Sequence, residues 1–267
     1  MPKKSAEWFE DKDFWERFAP IMFDNDHWAE VPAVAEGIAR FSGFGSYLKK
    51  TKSSIKSSPK KSAPKILDLC CGFGRISTEL ARRGFAVTGV DITESYLRTA
   101  REEAAYEKLE VEYINADARK FTRENYFDAA VNLYTSFGYF SDPKDDLSLL
   151  VNVCKSLKDG GTFIIETLGK EIAVWNFVET EWFERAGFTV LTEYETLDSW
   201  TTLKNRWILI KNGKRVEKIF TQRLYAASEL RALLLEAGFG GVEIFGDWNE
   251  GLYDHQADRL IVVARKL

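Results

Sequence analysis

Lys65-Ile66-Leu67-Asp68-Leu69-Cys70-Cys71-Gly72-Phe73-Gly74-Arg75 decides the fold of this 267-residue chain. A short apolar run meets an acid and a glycine turn, and a helical pattern follows at once. That order reads as strand, tight loop and helix N-terminus. Glycine lacks a Cβ and tolerates positive φ, so a ligand can approach the bare backbone of such a loop, and the free N–H groups of the next helix point at the same spot. Asp91 ends the following apolar run, Ala86-Val87-Thr88-Gly89-Val90. Together the two segments read as the opening βαβ unit of a nucleoside-binding α/β domain.

The alternation continues outward. Strands are expected at 66–69, 86–90, 111–114, 127–133 and 162–166. Helices are expected over 74–83, closed by Gly84, from Thr93 as N-cap to about Lys108, and from Asp142-Pro143 to about Leu157. Beyond 188 the period changes. Residues 188–225 read as strands without an intervening helix, and Asn212-Gly213 marks a tight hairpin. A helix expected to be capped by Ser228 and two further strands, 242–245 and 260–264, close the chain. The fold class is therefore α/β, a doubly wound, mostly parallel sheet carrying a small antiparallel insertion at about 185–226 before the last helix.

The ends of the chain read differently. Residues 1–48 carry Trp8, Phe9, Phe14, Trp15, Phe18, Phe23 and Trp28, and are expected to form an aromatic helical lid. Residues 49–65, KKTKSSIKSSPKKSAPK, are Lys/Ser-rich and read as a solvated linker. The core domain spans 66–267.

Composition excludes several classes. A formal net charge of −4 and a pI near 5.5 disfavour general binding to nucleic acid. Three cysteines, Cys70, Cys71 and Cys154, are too few for a disulfide framework. Cys70 and Cys71 lack zinc-ligand spacing, so no metal is expected, and they read as small thiols of a reducing compartment. Neither a signal-peptide core nor a membrane-length apolar run is apparent, which points to the cytoplasm.

Three acids fall at the ends of three successive strands: Asp68, Asp91, and Asp117 in Ile114-Asn115-Ala116-Asp117-Ala118. The carboxyl ends of parallel strands form the ligand crevice of an open sheet. A carboxylate suits two vicinal ribose hydroxyls, which fits Asp91, with apolar Ile92 able to lie on an adenine face. Asp117 suits an exocyclic amine, with the Ala118 N–H near a ring nitrogen. A dinucleotide fingerprint would need a third glycine where Ser77 stands, so a cofactor without pyrophosphate is favoured over NAD.

In LDLCCGFGRIS, VTGVDIT, INADA, FDAAVNLYTSFGYF and LKDGGTFIIE the chain resembles the class I S-adenosylmethionine-dependent methyltransferases, and in its late segments a small-molecule branch of them. The family usually has glycine where Cys70 stands. The resemblance implies S-adenosyl-L-methionine as cofactor. It places Cys70, Gly72 and Gly74 on the methionine part with Asp68 supporting the turn, Asp91 on ribose, and Ile92, Asp117 and Ala118 around adenine. Asn132 and Leu133 would offer carbonyls to the α-amino group. It also implies seven strands, with the last antiparallel and inserted between the fifth and sixth.

Methyl transfer from a sulfonium mainly requires positioning, and a base only where the acceptor brings its proton. Candidate catalytic residues are His255 in the loop before the last strand, His27 in the aromatic segment, and Tyr134 after the fourth strand. Asn132-Leu133-Tyr134-Thr135 is not the N-P-P-Y type associated with planar amide acceptors. The expected partner is a small or medium organic methyl acceptor, modified at O, N or C by a monomer or homodimer. Modification of RNA or tRNA, and cofactor binding without catalysis, are the alternatives.

Overall fold

The computed structural model describes residues 7–47 and 63–267. Most of the Lys/Ser-rich segment, 49–62, lies outside them. A 3-10 turn at Trp8–Glu10 leads into α1 (Lys12–Met22), α2 (Asn25–Ala29) and α3 (Val31–Phe41). The core then runs β1 (Lys65–Leu69), α4 (Arg75–Arg82), β2 (Ala86–Asp91), α5 (Glu94–Tyr106), β3 (Val111–Asn115), β4 (Phe127–Asn132), α6 (Pro143–Ser156) and β5 (Leu157–Thr167). After α7 (Lys170–Trp175) come β6 (Thr180–Arg185), β7 (Phe188–Leu197), β8 (Thr202–Lys211) and β9 (Lys214–Arg223). The chain closes with α8 (Ala227–Glu236), β10 (Phe239–Phe245) and β11 (Leu260–Lys266).

Seven strands form one sheet in the order β10-β11-β5-β4-β1-β2-β3. β1 pairs in parallel with both β2 and β4, so the topological switch point lies at its carboxyl end. β11 is antiparallel to both β5 and β10 and lies between them, as the family resemblance implied. The central strands are buried on both faces, which explains their near-continuous apolar runs. Among the described residues no helix is long and apolar enough to cross a membrane.

Local chemistry sets the helix boundaries. Asp142 caps α6 by accepting from the Lys144 N–H at 3.0 Å, and Pro143 fills the first helical position. Ser228 does not cap α8. Ala226 is its N-cap, and the Glu229 carboxylate accepts from the Ala226 N–H at 2.8 Å, a reach-back that Ser228, already inside the helix, cannot make.

The second sheet, β6-β7-β8-β9, is wholly antiparallel. Asn212 and Gly213 both take positive φ at the β8–β9 turn, as the sequence required. The sheet opens at Thr180 rather than near 185, because Thr180–Arg185 pairs along β7 as an edge strand whose adjacent Trp182 and Phe183 give no apolar/polar alternation.

The N-terminal helices divide between the two sheets. Val34, Ala35, Ile38 and Phe41 of α3 recur at helical spacing and pack on Ile66, Ile164, Ile261 and Val263 of the main sheet. Phe14, Phe18 and Ile21 of α1 instead pack on Val190 and Leu209 of the second sheet. Phe14 and Phe18 stack with ring centroids 5.0 Å apart. Replacing fully buried Phe18 by alanine should lower the free energy of unfolding by about 3–5 kcal/mol in a denaturant titration.

Candidate functional site

A cavity of about 700 Å³ opens at the carboxyl ends of β1, β2 and β4. Its floor comes from Asp68, Cys70, Cys71 and Gly72 after β1, Asp91 and Ile92 after β2, Ala116–Ala118 after β3, and Leu133–Ser136 after β4. The 3-10 turn, α1 and the segment through Glu30 supply one wall, including Trp8, Phe14, Phe23 and His27. Residues of the antiparallel sheet, among them Tyr194, Asn205, Trp207 and Gln222, supply another.

The β1 loop is fixed by the neighbouring acid. Asp91 Oδ2 accepts from the Gly72 N–H and Oδ1 from the Thr93 N–H, both at 2.8 Å. Burial pushes the Asp91 carboxyl up, and these backbone donors oppose the rise. Gly72 and Gly74 have φ of 55° and 72°. A Cβ at Gly74 would collide with the Tyr113 hydroxyl, so that glycine serves close packing behind the cavity wall. Cys70, where the family usually has glycine, also holds a left-handed φ of 62°. The loop thus keeps its shape with a thiol in place, at a strain of about 1–2 kcal/mol. Burial pushes both adjacent thiols up and keeps them unreactive.

Asp68 is buried and accepts from Ser77 Oγ at 2.6 Å. Burial raises its carboxyl to about 6, Ser77 restrains the rise, and the charge of Asp91 adds to it. Asp117 lies in the wall but is already engaged. Burial works against its charge, yet the Arg119 guanidinium, at 2.7 Å and 3.0 Å from its oxygens, holds it below the usual range. Asn132 is fully buried beneath the cavity and donates to the Leu69 carbonyl at 3.1 Å, while its Oδ1 has no partner among the described residues.

The far end is built around β4 and β5. Tyr134 and Thr135 both have positive φ, 54° and 58°. Glu166 at the end of β5 holds this strained pair: its carboxylate accepts from the Tyr134 N–H at 2.6 Å and its carbonyl from the Thr135 N–H at 3.2 Å. Arg259 lies 3.0 Å from Glu30 and 4.0 Å from Glu166, tying the loop before β11 to the N-terminal segment. His27 lines the cavity with Nδ1 2.5 Å from Asp24 Oδ1 and its ring 6.1 Å from that of Tyr134.

Residues 66–161 match a family described as a methyltransferase domain. The chain is 26% identical over 228 residues to YqeM of Bacillus subtilis (strain 168), a protein named only as a methyltransferase; the match spans 81% of this chain and 89% of that one. It is also 26% identical over 215 residues to the glycine/sarcosine N-methyltransferase of Aphanothece halophytica, across 79% of this chain and 80% of that one.

Residues 66–161 of the chain carry a methyltransferase domain, and the relatives and the shared fold support a class I S-adenosylmethionine-dependent methyltransferase.

Its fold is shared with the CcbJ methyltransferase of Streptomyces caelestis, with a TM-score of 0.72 at 18% identity over 89% of both chains. The methyltransferase takes S-adenosylmethionine as its cofactor. Among its described residues no group of metal-ligating side chains is arranged to hold an ion.

Of the three residues considered for catalysis, Tyr134 and His27 meet in the cavity and His255 does not. His255 is exposed, with its ring 4.6 Å from that of Trp175. The turn that carries it directs the later residues Asp258 and Arg259 into the cavity instead, which corrects the assignment of His255. The sequence reading also missed Glu166 and Arg75. Glu166 obeys the strand-end rule that singled out the other acids. Arg75 carried a different signal, a cation in the first turn of a helix, where the dipole disfavours it.

Asp68 gives a pH signature to the ligand-free enzyme. A proton held by the folded chain and already lost by the unfolded chain favours folding. That contribution is present near pH 4, fades as pH rises through about 6, and is gone above it. Asp68→Asn should therefore raise the unfolding free energy by about 1–3 kcal/mol at pH 7.5 and by much less at pH 4, in paired urea titrations.

Proposed function

We propose that this methyltransferase acts on a small or medium organic acceptor, seated between the aromatic N-terminal wall and the antiparallel sheet. The observation that carries this reading is the division of the cavity. One half is lined by the strand-end acids and the β1 loop, and the other by Trp8, Phe14, Trp207 and Phe220 with the amides of Asn205 and Gln222. A partly open, mostly apolar chamber with a few polar groups suits a compact organic molecule.

The first half fits the cofactor. Asp91 would take the ribose hydroxyls with the lone pairs left by Gly72 and Thr93. Ile92 and Ala118 would lie along adenine. Asp117 has fewer free lone pairs than its sequence position promised, since Arg119 engages both of its oxygens. Asp68, Cys70 and Gly72 would flank the methionine portion, with Leu133 opposite. Asn132 and Gly74 would act from behind, by holding β4 to β1 and by close packing. When bound, S-adenosylmethionine supplies a methyl group already activated on a sulfonium. The chain's task is then to hold an acceptor in line and exclude water. Where the acceptor carries a proton, His27, oriented by Asp24, is the histidine able to receive it. The N-terminal segment through Glu30 would act as the lid.

Seven carboxylate residues line the cavity against three arginines, which counts against a polyanionic acceptor such as RNA or tRNA.

The test is transfer of labelled methyl from S-adenosylmethionine into fractionated small-molecule extracts, with bulk tRNA in parallel. Labelling confined to tRNA would overturn the acceptor class. Asp91→Ala should weaken S-adenosylhomocysteine binding by about 1.5–3 kcal/mol in calorimetry, the scale of a charge-assisted hydrogen bond. Unchanged affinity would reject the ribose assignment. With an acceptor in hand, His27→Ala should reduce turnover and His255→Ala should leave it intact.

A further inference from the structure

Arg75 is a buried cation without an anion. Its side chain lies at the start of α4, is 5% exposed and lines the cavity. One terminal nitrogen donates to the His27 carbonyl at 2.8 Å. The guanidinium carbon stands 4.5 Å from the Tyr134 ring centre, 5.0 Å from that of Phe23 and 5.7 Å from that of Trp28. Among the described residues no carboxylate lies within ion-pair distance of it. Glu30, Asp68 and Asp24 act on it through space only, and burial outweighs them, lowering the guanidinium from its usual range. A charge removed from water without a partner is costly, and buried arginines are normally paired. Aromatic faces offset part of that cost and leave the in-plane donors free.

The missing anion has a natural source. The amino-acid end of the cofactor is a zwitterion, with an ammonium and a carboxylate on one carbon. The cavity presents a matching pair near the β1 loop: the acid Asp68 and the cation Arg75, which do not contact one another. We propose that Arg75 is the partner of the cofactor's carboxylate, and that it carries this recognition to the N-terminal segment through Phe23, His27 and Trp28. The inference rests on the cofactor placement given above. A carboxylate seated against the guanidinium fixes its plane, and that plane is what the His27 carbonyl and the rings of Phe23 and Trp28 grip. Binding at the amino-acid end thereby holds the wall of the acceptor chamber.

Two ligands separate the parts. S-adenosylhomocysteine carries the amino-acid end, and 5′-methylthioadenosine lacks it while keeping the nucleoside and sulfur. By calorimetry, Arg75→Met should weaken S-adenosylhomocysteine about 10- to 100-fold and leave 5′-methylthioadenosine within about threefold, the loss being that of one charge-assisted contact. Arg75→Lys, a point charge without the planar fork, should fall between. In the unmodified protein, saturating S-adenosylhomocysteine should slow tryptic cleavage after Lys12 and Arg17, and saturating 5′-methylthioadenosine should not. Equal affinity of wild type and Arg75→Met for S-adenosylhomocysteine would overturn the inference and give the arginine to an acidic acceptor instead. Equal protection by the two ligands would also overturn it, and that arm needs no variant to fold. If the unmodified protein bound neither ligand, the cofactor placement itself would fall. If it bound both and Arg75 proved indifferent, only this inference would.

Discussion

The bond from the Gly72 N–H to the Asp91 carboxylate, with the Thr93 N–H on the other oxygen, is the constraint on which the rest of the cavity depends. It joins the loop after β1 to the loop after β2 across the top of the sheet. Two parallel strands bring their carboxyl ends together but do not fix the loops that leave them. A single half-buried carboxylate with a donor on each oxygen does. The same group must stay ionised and keep spare lone pairs for a ligand, so one residue shapes the floor and reads what lies on it.

Above that floor the cavity is bounded by parts that belong to no common sheet. The helices before β1 and the strands between β5 and β10 meet over it, and polar links hold them there. Lys218 on β9 reaches Asp11 at 2.6 Å, Arg185 on β6 reaches Asp24 at 3.2 Å, and Arg119 spans Asp117, Asp145 and Glu10. Most of these pairs are partly exposed, and each adds little to stability. Their value is directional, since they set which faces of the aromatic helices turn inward.

The main sheet was legible in the sequence because its signals are local. Alternating apolar runs, glycine turns and an Asp-Pro helix start each act within a few residues, and the strand-end acids follow from the same topology. The antiparallel position of β11 came from family resemblance, since periodicity carries no strand order. β6 was missed because Thr180–Arg185, with Trp182 and Phe183 side by side, shows no alternation and is defined by its partner strand. The helix before β10 was capped from the side chain of Glu229 and not from Ser228, a choice that spacing alone leaves open. His255 and His27 looked equivalent as candidates. Their separation depends on how a turn between Trp248 and Leu260 faces, which is a property of packing. Arg75 stood out in the sequence only as a cation in a first helical turn, and its lack of an acid partner among the described residues showed in three dimensions.

The seating of α1 on the antiparallel sheet bears on how the chain acquires its structure. Trp8 and Phe14 lie with ring centroids 4.8 Å and 5.3 Å from Phe220, and Asp11 is bound by Lys218, 207 positions later. The first helix emerges from the ribosome long before the surface that buries Phe14, Phe18 and Ile21 exists. Until Val190, Leu209 and Phe220 have been made, those side chains lack the sheet that buries them. Such distant pairing slows folding and leaves apolar surface uncovered meanwhile. The wall of the acceptor chamber therefore forms only after the antiparallel sheet, although its own residues are synthesised well before that sheet.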